Sequence, residues 1–308
     1  MNSENRASDE ARVWLAPHEG VERVPVQGDS VCPWPEPRQH ARKFLQVHGC
    51  AIQKSGQTLH GEVCVWAEYE APTHARPVHS EGQGPRYVQT PLITVSEPQA
   101  ETDPWIFQPG FVWSTWGQEN AGHSALQADD PSQPQPGDMV LFGSPMPGRR
   151  GKVDWVLDTV VVLRRRLPGP TAGQLKNPYG KLVEPALRGQ STSLLPFVGQ
   201  PHERAAHFSF APCKLTTSVD DGCFQRPNIS ELFDELRLEN GGERPSAAVA
   251  LAACRPDAGL DRFWQQLTGL VWSHGLALGA DFDLPAIRVL NANRESKSAA
   301  RKRRARAA

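Results

Sequence analysis

The chain has 308 residues and a net charge of −1, with 39% hydrophobic and 22% charged residues, a composition suited to one large globular domain or two modest ones rather than to a disordered or fibrous protein. Its 26 glycines and 28 prolines favour many short elements joined by turns over a helical bundle. No apolar stretch approaches the ~20 residues needed to span a bilayer, and the polar, acidic start MNSENRASDEARVW is unlike a secretory signal, so the expectation is a cytoplasmic protein without membrane contact and with free thiols at all six cysteines.

Residues 1–40 read as an extended arm. Val13 and Trp14 suit an added edge strand, and the three prolines between Cys32 and Arg38 exclude helix there. Residues 41–215 read as a β-rich domain. Lys43–Ile52 is apolar and β-branched. Glu62–Glu70 alternates with a period of two, placing Cys64, Trp66, Glu68 and Glu70 on one face and Val63, Val65, Ala67 and Tyr69 on the other. Arg86–Val95 and Ile106–Trp116 are further strand candidates. The near-continuous apolar runs Met139–Phe142 and Trp155–Leu163 suit central strands. Residues 121–137, 143–153 and 167–202 read as loops, and His207–Pro212 as a short strand.

Residues 216–293 read as an α-rich segment packed on the sheet. Asn228-Ile-Ser-Glu231 resembles a capping box opening a helix over Ile229–Leu238. Leu260, Phe263, Trp264, Leu267, Leu270 and Val271 keep helical spacing after Asp257, a candidate cap. Residues 294–308 form a basic tail with seven cations against one carboxylate. The remainder therefore carries −7, so contact with a polyanion falls to the tail or to a local pocket.

Several groups carry candidate chemistry. His40, Arg42 and Lys43, with Arg86, could hold a phosphate or carboxylate, or form a charged strand edge. Glu68 and Glu70, at i and i+2 on one strand face, lie roughly 6–7 Å apart and suit acid–base work, or simply a wet face. Trp66 on the same face could stack a planar ring. Asp103 begins an Asp-Pro turn before Trp105, and Trp113 and Trp116 follow. These indoles form either an aromatic cage or core packing. Asp158 lies in an otherwise apolar strand and, if buried, must be paired. The pairs His48/Cys50 and His60/Cys64 match no common zinc module, so no metal is assigned, and no cofactor is named. Cys213 with His202 or His207 is a nucleophile arrangement without a supporting motif. Walker A, dinucleotide-binding, zinc-protease and nucleophile-elbow motifs are absent from the sequence.

Taken together, His40-x-Arg42-Lys43-Phe44, Trp66-x-Glu68-Tyr69-Glu70, Thr102-Asp103-Pro104-Trp105, Gly137-Asp138 through Gly143-Ser144, Leu157-Asp158-Thr159 and Phe208-Ser209-Phe210 to Cys213 resemble blocks of a bacterial family of nucleotide-modification-associated domains, linked to DNA-modification and defence systems. The resemblance covers about residues 38–290 and carries over no catalytic residue. The sequence departs from it after Phe111, where Trp113-Ser-Thr-Trp116 stands in place of a lysine-containing stretch.

The combined expectation is an α+β fold with a central, largely antiparallel, barrel-like sheet and late flanking helices. A pocket of Trp66, Glu68, Glu70, Asp103, Trp105 and Asp158 would receive a base or nucleotide of DNA or RNA, with His40, Arg42, Lys43 and Arg86 for its phosphate. The alternative is a non-catalytic scaffold using arm and tail.

Overall fold

The computed structural model describes residues 11–32, 42–92, 104–113, 133–166, 197–238 and 252–285, except 19, 27, 28, 30, 70, 71, 80–83, 109, 149–152, 217–221 and 258. In chain order the strands are β1 (Val13–Pro17), β2 (Val31–Cys32), β3 (Arg42–Ile52), β4 (Thr58–Glu68), β5 (Thr73–Pro77), β6 (Tyr87–Pro91), β7 (Val112–Trp113), β8 (Met139–Pro147), β9 (Val153–Arg166), β10 (Phe197–Gly199), β11 (Ala211–Leu215), β12 (Leu236–Leu238), β13 (Ala252–Pro256) and β14 (Ala277–Ala280). Among the described residues there is one α-helix, α1 (Leu260–Ser273). The protein is therefore mostly β with some helix, and of the two late flanking helices expected, only the second is an α-helix among the described residues.

The strands form two seven-stranded sheets, ordered β12-β13-β1-β8-β9-β10-β7 and β14-β11-β4-β3-β6-β5-β2. Both are mixed, because β1 runs parallel to β8 and β3 parallel to β6. In the second sheet β14 also pairs with β3, so β3, β4, β11 and β14 close into a hydrogen-bonded ring.

Alternation explains the packing. Along β1 and β8, Trp14, Ala16, Val140 and Phe142 join Leu45, Val65 and Ala67 in a core that draws on both sheets. Their neighbours Val13, Leu15, Met139 and Leu141 pack with Phe263, Leu267 and Val271 of α1. A strand buried on both faces must be apolar at nearly every position, which is why β8 and β9 read as continuous runs. A smaller core joins Phe44, Cys64, Trp66 and Val88.

Three local expectations are corrected. Val13 and Trp14 do not lie on an edge: β1 is third of seven, between β13 and β8. The helix expected over Ile229–Leu238 is a short 3₁₀ turn, Ser230–Glu235, followed by β12. Ile229, not Asn228, holds the N-cap position, and no side chain caps the turn; Asn228 Oδ1 only accepts from the Ser230 N–H, and Leu236–Leu238 then pairs with β13, which ends the turn. Gly259, not Asp257, occupies the N-cap of α1.

Candidate functional site

Six polar side chains from six separate stretches of chain meet in a buried cluster that spans both sheets. Its centre is Arg42, at the start of β3 and fully buried. Register places Arg42 directly opposite Glu68 and Phe44 opposite Trp66 on β4, so these four share one face. The Arg42 guanidinium donates through Nη1 to Glu68 Oε2 and through Nε to Asp158 Oδ2, the latter at 2.7 Å.

Asp158 reaches this point because β9 is bulged. Phe142 faces Thr159 and Gly143 faces Leu157, which leaves Asp158 as the extra residue, unpaired in the ladder. A bulge re-aims a side chain in this way. Gly143 permits it: a Cβ there would stand 2.5 Å from the Val156 carbonyl oxygen and equally close to the Trp155 ring.

Arg226 completes the charge balance. Its Nη1 donates to Asp158 Oδ1 at 3.1 Å and to Ser144 Oγ at 3.0 Å, and its Nη2 donates to the Gly20 carbonyl at 2.7 Å. Its guanidinium carbon also lies 5.3 Å from the centroid of Trp66. His18, just past β1, sets Nδ1 2.7 Å from Glu68 Oε2. The segment from Val21 to Arg23 runs alongside, with the Arg42 N–H donating to Val21 O and the Arg23 N–H to Arg42 O.

Two arginines thus balance two carboxylates in a region closed to water. Burial alone would push the Arg42 pKa down, but the facing charges of Asp158 and Glu68 and their hydrogen bonds outweigh it, so the pKa rises above the ordinary arginine value. One donor is left over: among the described residues Arg42 Nη2 is buried without a hydrogen-bond partner.

The other sequence candidates fall elsewhere. Lys43 is buried and lies 5.7 Å from the Tyr69 ring centroid, on the strand face opposite Arg42, so the two cations do not clasp one phosphate. Arg42 itself is engaged by carboxylates. Arg86 is largely exposed and pairs with Glu22. Trp105 belongs to the inter-sheet core, edge-on to Phe107. Trp66 is 4% exposed, tilted against Phe44, with its indole N–H donating to Phe224 O. His40, Glu70, Asp103 and Trp116 lie outside the described residues, as do most of the proline-rich arm and the basic tail. Asp138 is a structural anchor: its carboxylate accepts from the backbone N–H groups of Arg12 and Gln135 and from the Trp14 indole, fastening β1 to the entry of β8.

His18 and Arg226 were missed. Neither belongs to a recognisable pattern, and only the parallel pairing of β1 with β8 and the loop before Asn228 bring them in.

Cys213 is not set up as a nucleophile. Burial raises the Cys213 pKa well above its ordinary value, and neighbouring Cys50 and Cys64 raise it further. Activation requires the opposite shift. His202 and His207 approach Asp281 and Asp261, each at 3.0 Å.

No family model, curated protein or solved structure matches the chain.

Proposed function

We propose that this is a nucleotide- or nucleic-acid-associated protein of a bacterial DNA-modification or defence system, acting in the cytoplasm and receiving a base or nucleotide at the Arg42 cluster. The observation that supports this most is convergence. Four of the sequence blocks that resemble nucleotide-modification-associated domains, far apart in the chain, supply Arg42, Trp66 with Glu68, Ser144, and Asp158 to one buried polar cluster. A guanidinium with an unused donor beside two carboxylates offers the donor and acceptor pattern that reads the edge of a base. The ring of β3, β4, β11 and β14 is the part of the fold nearest to the barrels of small base-reading modules. In this reading the site binds rather than reacts, and a ligand enters by displacing Arg226 from Asp158 and Ser144.

The test is thermal stabilisation of the full chain by a panel of nucleoside mono- and triphosphates and short DNA and RNA oligonucleotides. A melting temperature that rises with one of these supports the reading, provided that Asp158→Asn and Arg226→Ala, checked for folding by circular dichroism, lose the effect. No shift with any of them, or an unchanged shift in both variants, removes it.

One observation favours a second reading. Each carboxylate of the cluster already has an internal cation, as in a structural clamp between sheets. A scaffold subunit that meets partners through its arm and tail would show large stability losses in these variants and no ligand effect.

A further inference from the structure

Away from Arg42, three side chains present metal-binding atoms to a common point. His202 and Glu203 lie on the 3₁₀ turn His202–Arg204, which follows β10, and Asp281 directly follows β14. One ring nitrogen of His202 and one carboxylate oxygen from each of Glu203 and Asp281 all lie within 4.8 Å of one another. Donors sharing an ion at bond lengths near 2.0–2.2 Å stand about 3–4 Å apart, so an inward shift of about 1 Å or less would bring all three onto a single small cation.

A second observation separates this group from an ordinary ion pair. His202 Nδ1 is closed off from solvent and lies 3.0 Å from Asp281 Oδ2, yet it makes no hydrogen bond among the described residues. A ring nitrogen aimed past a carboxylate oxygen, rather than at it, is how two ligands of one ion are arranged. The group also holds two carboxylates with no arginine or lysine ion-paired to either among the described residues, in contrast to the cluster around Arg42.

We propose that His202, Glu203 and Asp281 form a binding site for a divalent transition-metal ion. One imidazole nitrogen and two carboxylate oxygens suit zinc and manganese alike, with zinc favoured by its place in the affinity order of these metals. Three protein ligands leave coordination positions for water, and the exposed side of Glu203 gives the ion a path in. The site is independent of the base-binding reading.

The experiment is calorimetric titration of the chelator-stripped full chain with zinc chloride and manganese chloride, followed by the absorption spectrum of the cobalt-loaded protein. The expected result is one ion per chain, with zinc tighter than manganese, and a binding constant lowered by about tenfold or more in His202→Gln and Asp281→Asn, since even residues behind a ligand cost that much. Asparagine also accepts the left-handed backbone that Asp281 adopts, at φ 49°, so Asp281→Asn removes charge without straining the chain. The exposed neighbouring pair His48–Asp283 is the competing binder, and His48→Ala should leave the titration unchanged. If a core variant fails to fold, the exposed Glu203→Gln decides: weaker binding supports the site and unchanged binding overturns it. No ion bound, wild-type binding in the three site variants, or loss of binding in His48→Ala overturns the proposal.

Discussion

The cluster around Arg42 and the group around His202 are built from similar side chains but solve opposite problems. In the first, two carboxylates are enclosed between sheets, and the chain itself supplies the opposing charge through Arg42 and Arg226. In the second, two carboxylates flank an imidazole at a half-open surface, and among the described residues no arginine or lysine is ion-paired to either. A buried charge cannot persist without a partner, whereas one at the surface can lean on water or on an ion. The first arrangement is therefore complete within the fold, and the second is completed from outside.

The comparison breaks most sharply at Arg42. Arg42→Met would take from Glu68 and Asp158 the buried cation they share, leaving His18 beside the first and Arg226 beside the second, and removing one member of such a network costs about 3–5 kcal/mol. Urea denaturation should show that loss, and adding Glu68→Gln should restore part of it by removing one carboxylate that has lost its arginine. A loss below about 1 kcal/mol would mean that water reaches the cluster. Asp138→Asn comes next. It turns one acceptor of three N–H donors into a competing donor, at about 1–3 kcal/mol, and should lower the denaturation midpoint without touching any ligand effect. Asp281→Asn without metal should change stability by no more than about 0.5 kcal/mol, because its side chain is one-third exposed. A loss as large as that of Arg42→Met would erase the distinction between the two regions.

How much of this was legible in sequence depended on whether the deciding contact was local. The alternation along β4 placed Trp66 and Glu68 on one face, and the isolated Asp158 in an apolar run required a partner on elementary grounds. Both inferences use only neighbouring residues. That Arg42 is the partner, and that His18 and Arg226 join it, depends on pairings between residues tens to hundreds of positions apart and on the bulge at Asp158. The same limit explains Ile229–Leu238. Ile229, Leu232 and Phe233 keep a helical spacing and are buried, but pairing with β13 prevails over the local preference. His202, Glu203 and Asp281 had no legible spacing, because the third member lies 78 residues beyond the second and arrives only with β14.

The smallest effect concerns His207, an intermediate case between the two regions. Its Nε2 lies 3.0 Å from the largely exposed Asp261, and its ring packs against Trp264 at 5.3 Å. Burial lowers its pKa below the ordinary 6.5, and the attraction of Asp261 only partly opposes this. The folded protein thus takes up the His207 proton less readily than the unfolded chain does. This contribution to stability is intact above the ordinary value and declines as pH falls below it. Melting temperatures measured from about pH 7.5 down to about pH 5.5 should fall more steeply in the wild type than in His207→Gln, which has no such proton to gain. Parallel curves would show that the exposed Asp261 compensates fully, and that at this surface a single carboxylate offsets the burial of the imidazole.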